Sequence, residues 1–512
     1  MLLSSILTSC TLSSTSESTV TPITNLSSTS IVLGETLQAG SDVTVSGNTA
    51  TITKAGTYRI TGTSDDSQIV VDTEDKWVIL ELAGVTLTSD MSAPIFIKNG
   101  SDAHIVLVAG TTNTLTDASE YTYATADEDE PNAPIFSKDD LYIEGDGTLI
   151  VNGISNDGIA SKNTLQIDGG NITVNAKDDG IRGKEELIVN TGIITITSEW
   201  DAMKSDEENL GNITINGGTI TINAWDDGIH AENLLTVNNG TIDIVKSYEG
   251  LEWSGITINN GTINLTASDD GINVAGASTE TEWQMGPMGN PNATNTLTIN
   301  GGKITLSISG DGLDANGQVI MTGGDVIVYG PTNNGNGALD YDGTFQISGG
   351  SLIAVGSAGM AMQPSVSSTQ NSVLIGFSAS QSAGTVVKIV DSNGATIMTI
   401  TPPKVFQSLA FSSPLLVKWQ KYQVYIGDTL FQEFTISWAT NTVGTISQMG
   451  GMGEGRGMMG SGAMMGGSGM TRGPRSGSGR MMPPGGQMGS GMMMPPDGMT
   501  PPEVMEPPTD IQ

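Results

Sequence analysis

Short runs in which apolar and polar residues alternate, separated by Gly, Asn and Asp, occupy most of the chain between Ile31 and Trp438. Asp42-Val-Thr-Val-Ser46, Thr57-Tyr-Arg-Ile-Thr61, Trp77-Val-Ile-Leu-Glu-Leu82 and His104-Ile-Val-Leu-Val108 read as strands, because a period of two puts alternate side chains on opposite faces of a sheet. A longer repeat is laid over this pattern. A Gly opening a short strand recurs at positions 147, 170, 192, 218, 240, 261, 302, 324 and 350, with intervals of 23, 22, 26, 22, 21, 41, 22 and 26 residues. A period near 22 is too short for a propeller blade and lacks the Leu-rich signature of a horseshoe repeat, but it suits one coil of a parallel β-helix. Each strand then pairs with its counterpart one coil away, about 4.8 Å distant, with right-handed crossovers and inward Ile, Val and Leu stacked into one core. The long interval contains one coil plus an insertion, Gly276 to Asn295, whose Trp283, Met285 and Pro287 read as a surface loop.

The predicted architecture is all-β. A right-handed parallel β-helix of about 22-residue coils covers residues 31–370, and a small β cap covers 371–440, with strand-like runs such as Thr385-Val-Val-Lys-Ile-Val390 and Tyr422-Gln-Val-Tyr-Ile426. The cap closes strand edges that would otherwise pair with other chains. Residues 441–512 are rich in Gly, Met and Pro and are predicted to be disordered. Their methionines are either soft ligands for Cu(I) or low-complexity filler.

Composition narrows the function. Aromatics make up 5 % of the chain, Gly numbers 67, and 55 acids against 20 bases give a formal charge of −35. Such a chain repels nucleic acid and anionic lipid unless bound cations neutralise it, although the excess also serves solubility. The single cysteine, Cys10, permits no intrachain disulfide. Leu7-Thr8-Ser9-Cys10 resembles the bacterial lipobox, so residues 1–10 are read as a signal remnant with Cys10 lipidated, and the Ser/Thr-rich residues 11–30 as a tether. A monomer outside the cell, lipid-anchored at the bacterial surface, is expected.

An acidic turn travels with the repeat: Asn156-Asp-Gly-Ile159, Asp178-Asp-Gly-Ile181, Trp200-Asp-Ala-Met203, Asp226-Asp-Gly-Ile229, Tyr248-Glu-Gly-Leu251, Asp269-Asp-Gly-Ile272 and Gly310-Asp-Gly-Leu313. Stacked coils place Asp157, Asp179, Asp201, Asp227, Glu249, Asp270 and Asp311 in one column, where like charges raise one another's pKa unless protons or cations intervene. Asp-Gly alone makes a turn, and that explains one Asp per corner but not the doubled acids at three of them. Calcium, which accepts six to eight oxygens, suits ligands drawn from Asp178, Asp179, Asp201, Asp226 and Asp227, with Glu249, Asp269 and Asp270 further along. Zinc and iron are poorly served by a chain with two His and one Cys. After each apolar turn residue come Arg182, Lys204, His230, Glu252, Asn273 and Asp314, and Trp200, Trp225, Tyr248 and Trp253 fall beside them. Aromatics among acids and bases suit sugar binding, with the rings on pyranose faces and the polar groups on hydroxyls; the other reading is that the rings merely stack on one another.

The coils from Asp168-Gly-Gly-Asn-Ile-Thr-Val to Asp269-Asp-Gly-Ile-Asn273 resemble the bacterial carbohydrate-binding β-helix family whose members bind cellulose and acid sugars such as polygalacturonate. The resemblance spans about residues 31–440 and departs from the pattern at Asp201-Ala and at Glu249. It implies kinship with pectate-lyase-like polysaccharide lyases and calcium held by aspartates of neighbouring coils, which here are Asp178, Asp179, Asp201, Asp226 and Asp227. Three functions stay open: a non-catalytic polysaccharide-binding protein; a calcium-dependent lyase using Lys204 or Arg182 as base; and a surface scaffold stiffened by calcium.

Overall fold

The computed structural model describes residues 28–446 except 75, 124, 126 and 276–294. The predicted leader with Cys10, most of the tether, the insertion after Ala275 and all but the first residues of the tail lie outside the described residues.

Among the described residues the chain is all-β and winds as a parallel β-solenoid. Each coil contributes a short strand to a 13-stranded sheet and two longer ones to a 25-stranded sheet that covers the other two sides. In one coil, Ile181–Gly183 is followed by Glu186–Ser198, whose halves pair separately with Asn212–Ile215 and Thr219–Asn223 of the next coil. The bend between the halves is made by the repeat glycine. Gly192, Gly218, Gly240 and Gly261 have φ of +124°, +91°, +110° and +109°, a region that L side chains avoid. A Cβ on Gly218 would also sit 2.9 Å from the Gly192 carbonyl oxygen, so the corner requires glycine twice over.

Register does the rest. Ile159, Ile181, Met203, Ile229, Leu251, Ile272, Leu313 and Leu339 align strand to strand and are all at most 1 % exposed. The next residue of each strand faces out, which lines up Ala160, Arg182, Lys204, His230, Glu252, Asn273, Asp314 and Asp340 in one outward row.

At the N-terminal end Thr29–Leu33 pairs in parallel with Gly56–Ser64, so the first strand starts two residues before the predicted Ile31; main-chain pairing recruits Thr29 and Ser30 despite their polarity. At the other end Ser351–Gly356, Phe406–Ser412 and Ser372–Gln381 turn the ladder antiparallel, which stops coil addition. Thr440–Gly444 joins Ser372–Gly376 and carries the cap past residue 440, and a four-stranded sheet encloses a second core around Phe377, Phe406 and Phe411.

Candidate functional site

The acidic turns lead into the short strands, so the solenoid stacks them along one edge. Asp157, Asp179, Asp201 and Asp227 are only 1, 4, 3 and 6 % exposed. The first three carboxylates each accept the backbone N–H of the counterpart one coil on: Asp179 N–H to Asp157 Oδ1 at 3.3 Å, Asp201 to Asp179 at 3.2 Å and Asp227 to Asp201 at 3.0 Å. The column thus has a structural task in any state, since these bonds satisfy main-chain donors that the turn would otherwise bury unpaired. The Ala in Asp201-Ala leaves the ladder intact. Glu249 departs from it and accepts from Asn273 Nδ2 at 2.8 Å; the ladder resumes where Asp311 N–H donates to Asp270.

The outward bases neutralise one end of this column. Lys204 Nζ lies 2.9 Å from Asp201 and 3.2 Å from Asp179; Arg182 grips Asp206 at 2.6 Å and reaches Asp157 at 3.7 Å; His230 bridges Asp227 at 3.3 Å and Glu252 at 2.7 Å. Burial by itself would lower the pKa of Lys204, but Asp201 and Asp179 more than offset it and raise it. His230 is likewise pushed up to about 11 by Asp227 and Glu252 against burial, and Glu252 falls to about 2 because His230 outweighs its own burial. These three bases serve the column first, rather than standing free for a ligand.

At the other end the acids have no such partners among the described residues. Burial pushes Asp270 and Asp311 up to about 6 and Asp314 to about 7, with their mutual repulsion adding to it. One oxygen from each of Asp270, Asp311 and Asp314 can be taken with all mutual distances within 4.8 Å, and the same holds for Asp157, Asp178 and Asp179. Two further groupings, Asp201, Asp227 and His230, and Asp227, Glu249 and Glu252, include or adjoin the His230 bridge. Two buried amide oxygens without hydrogen-bond partners fall beside the Asp157 and Asp270 triads: Asn156 Oδ1 next to Asp157, and Asn273 Oδ1 on the strand in register with Asp314. An orphaned oxygen beside converging carboxylates fits a hard cation such as calcium, and the Asp270 triad, which no base among the described residues neutralises, fits it best. Of the sequence-predicted ligands, Asp178, Asp179, Asp201, Asp227, Glu249 and Asp270 enter these groupings; Asp226 and Asp269 do not. Asp314 is legible in the sequence as a row position but not as a ligand, because its partner Asp270 comes from the far side of the insertion.

The residues just before the column form an outer ridge that reads Asp178, Trp200, Asp226, Tyr248, Asp269, acid and aromatic alternating coil by coil. Trp200 and Tyr248 are 39 % and 47 % exposed. Trp225, 46 % exposed, sits one position off the ridge under Lys246, whose Nζ is 3.5 Å from the ring centroid. Trp253 is held against His230 at 5.2 Å between centroids and has a left-handed φ of +137°. Two of the four predicted aromatics therefore make the ridge, and the other two pack on bases.

The column carries a pH signature. A carboxyl whose folded pKa lies above its unfolded value favours the fold while protonated, and Asp157 at about 7 and Glu249 at about 8 are both raised chiefly by burial. The raised pKa of His230 adds stability that is full below its unfolded pKa and fades as the pH climbs toward about 11. Both act in one direction. In chelator the melting temperature should fall steadily from about pH 5 to about pH 9; a flat or rising profile in differential scanning calorimetry would contradict the account.

Fold and site together define a parallel β-solenoid with a carboxylate column and an acid-aromatic ridge. Residues 46–286 match a family model described as carbohydrate-binding domain-containing protein, a span that contains the ridge and most of the column. A carbohydrate-binding domain-containing protein of Acetivibrio thermocellus is 44 % identical over 135 residues, 26 % of this chain and 47 % of that one, so the chain spans about half the length of this curated relative. A solved structure described as the polysaccharide lyase-like protein from C. thermocellum, gadolinium derivative, is 35 % identical with a TM-score of 0.42, covering 46 % of this chain and 93 % of that one. The family match agrees with the resemblance drawn from the Asp-Asp-Gly-Ile coils.

Proposed function

We propose that this protein binds polysaccharide outside the cell without cleaving it, with calcium held at the base-free end of the carboxylate column. The observation that carries this reading is the ridge. Trp200 and Tyr248 stand two coils apart, roughly 10 Å from the strand spacing, close to the length of a disaccharide unit in an extended 1,4-linked glycan. Two exposed rings at that interval offer stacking faces to alternate sugars, and Asp226 between them, with Asp178 and Asp269 on either side, accepts hydroxyl hydrogen bonds. Calcium bound by Asp270, Asp311 and Asp314 with Asn273 would neutralise that end and supply open coordination positions to a uronate. Cellulose and polygalacturonate are the polymers of choice. The lipid anchor at Cys10 belongs to the same proposal.

The lyase alternative asks Lys204 or Arg182 to take a proton. Both are held in their protonated forms by neighbouring carboxylates, so the binding reading is the stronger.

The test is retention of the full chain on cellulose and on polygalacturonate, with calcium and with chelator, while ultraviolet absorbance is followed for unsaturated products. Calcium-dependent retention on polygalacturonate without product is expected, and Trp200→Ala or Tyr248→Ala should each weaken it about tenfold. Product formation, or retention indifferent to both substitutions, would sink the proposal.

A further inference from the structure

The strands of the 13-stranded sheet start at Ile95, Ile135, Ile159 and Ile181, so the step from the first to the second is 40 residues where the next two are 24 and 22. The extra chain lies between Thr116 and Ile135, at the corner where later coils carry their acidic turns; it is tied to the column by Asn132, whose Nδ2 donates to Asp157 Oδ2 at 3.0 Å. This insertion does not pack flat. With Gly47 to Thr49, Asp66 to Gln68, and Ser89, Met91 and Ser92 of the preceding coils it walls an open cavity of about 510 Å³.

The lining has a definite chemistry. Phe96, Met91 and Tyr123 supply an apolar wall. Phe96 is fixed by Phe136 at 5.9 Å between centroids, and Tyr123 by Tyr121 at 6.0 Å and by donating its hydroxyl hydrogen to the carbonyls of Pro131 and Asp129. Asn48 and Gln68 present side-chain amides, each anchored through its nitrogen, to Asp66 at 2.9 Å and to the Ala93 carbonyl at 2.9 Å. Every charged residue in the lining is an acid, Asp66, Glu128 and Glu130, and Glu130 is already paired with Lys138 and Lys162 from outside it. The volume fits one or two pyranose rings, the wall is aromatic and apolar, and the lining offers no base to a uronate carboxylate.

We infer that this cavity is a second saccharide site, walled by Thr122, Tyr123, Glu128, Glu130 and Pro131 of the insertion, that takes a neutral pyranose and rejects uronates. It shares with the ridge only the saccharide class of its ligand. Calcium has no part in it, so the two sites separate in chelator.

The experiment is calorimetric titration of the full chain with cellotetraose and with tetragalacturonate in chelator, joined to hydrogen exchange on the same samples. Cellotetraose should bind and tetragalacturonate should not. Thr122→Trp, which places a ring into the opening from an exposed position, and Ser92→Phe should each weaken cellotetraose at least tenfold, while Val366→Trp on a distant exposed turn leaves it unchanged. Exchange protection should fall on residues 117–134. No binding at millimolar cellotetraose, equal binding of tetragalacturonate, or protection confined to the ridge overturns the inference. So does unchanged affinity in both occluding variants. Failure of calcium-dependent retention on polygalacturonate would leave it standing.

Discussion

Lys204→Met should destabilise the calcium-free protein by about 3–5 kcal/mol, the usual cost of removing one partner from a buried ion pair. The ammonium lies 2.9 Å and 3.2 Å from two carboxylates that are 3 % and 4 % exposed, so its loss leaves two buried acids facing each other. Met keeps most of the side-chain volume, which separates the charge effect from a packing defect. Calcium should restore part of the loss, because the vacated space is flanked by two carboxylates and adjoins Asp178 and Asp227. Denaturant unfolding with and without calcium measures both effects. A variant as stable as the parent would mean that the lysine is not the neutralising charge of these two carboxylates. The same variant bears on the lyase alternative: a base would lose turnover, whereas an ion-pair partner loses stability.

The double substitution Asp311→Asn with Asp314→Asn should have opposite effects in the two states. Without calcium it should raise the melting temperature by a few degrees, since it removes two of the acids that crowd the unpaired end of the column. Both changes are structurally modest. An Asn at 311 keeps the oxygen that accepts the Gly337 N–H, and an Asn at 314 repeats what Asn273 already does one coil earlier in the same row. With calcium the order should reverse. Losing two of three converging carboxylates should weaken calcium binding on the order of 100-fold, about 2.7 kcal/mol, and the calcium-induced rise in melting temperature should vanish. Calorimetric titration with calcium alone reads the first effect and thermal unfolding the second. Undiminished calcium binding would move the ion to the Asp157 triad, where Asn156 Oδ1 is the other orphaned oxygen.

Much of the fold is legible in the chain. The strand-opening glycines at 170, 192, 218, 240 and 261 state the coil length, and their positive φ values explain why no other residue stands there. Alternation then assigns inward and outward positions, so the stack from Ile159 to Leu313 and the row from Arg182 to Asp314 both follow from counting. The cavity is not legible in this way. The insertion of residues 117–134 precedes the first clear repeat glycine at 147, and without a repeat to interrupt, extra chain reads as ordinary loop.

The sequence by itself determined the solenoid, the alignment of Asp157 to Asp311 and the presence of bases and aromatics beside them, because a fixed period converts spacing along the chain into stacking in space. Only the tertiary structure decided how those groups share their charges. Whether an acid meets Lys204, a backbone N–H or another acid depends on side-chain direction and on contacts between residues 22 to 41 apart, and no local pattern encodes either. The column thus divides into a neutralised half around Arg182, Lys204 and His230 and an unpaired half around Asp270, Asp311 and Asp314, because burial strengthens each charge interaction and leaves only partners within a few ångströms to answer it.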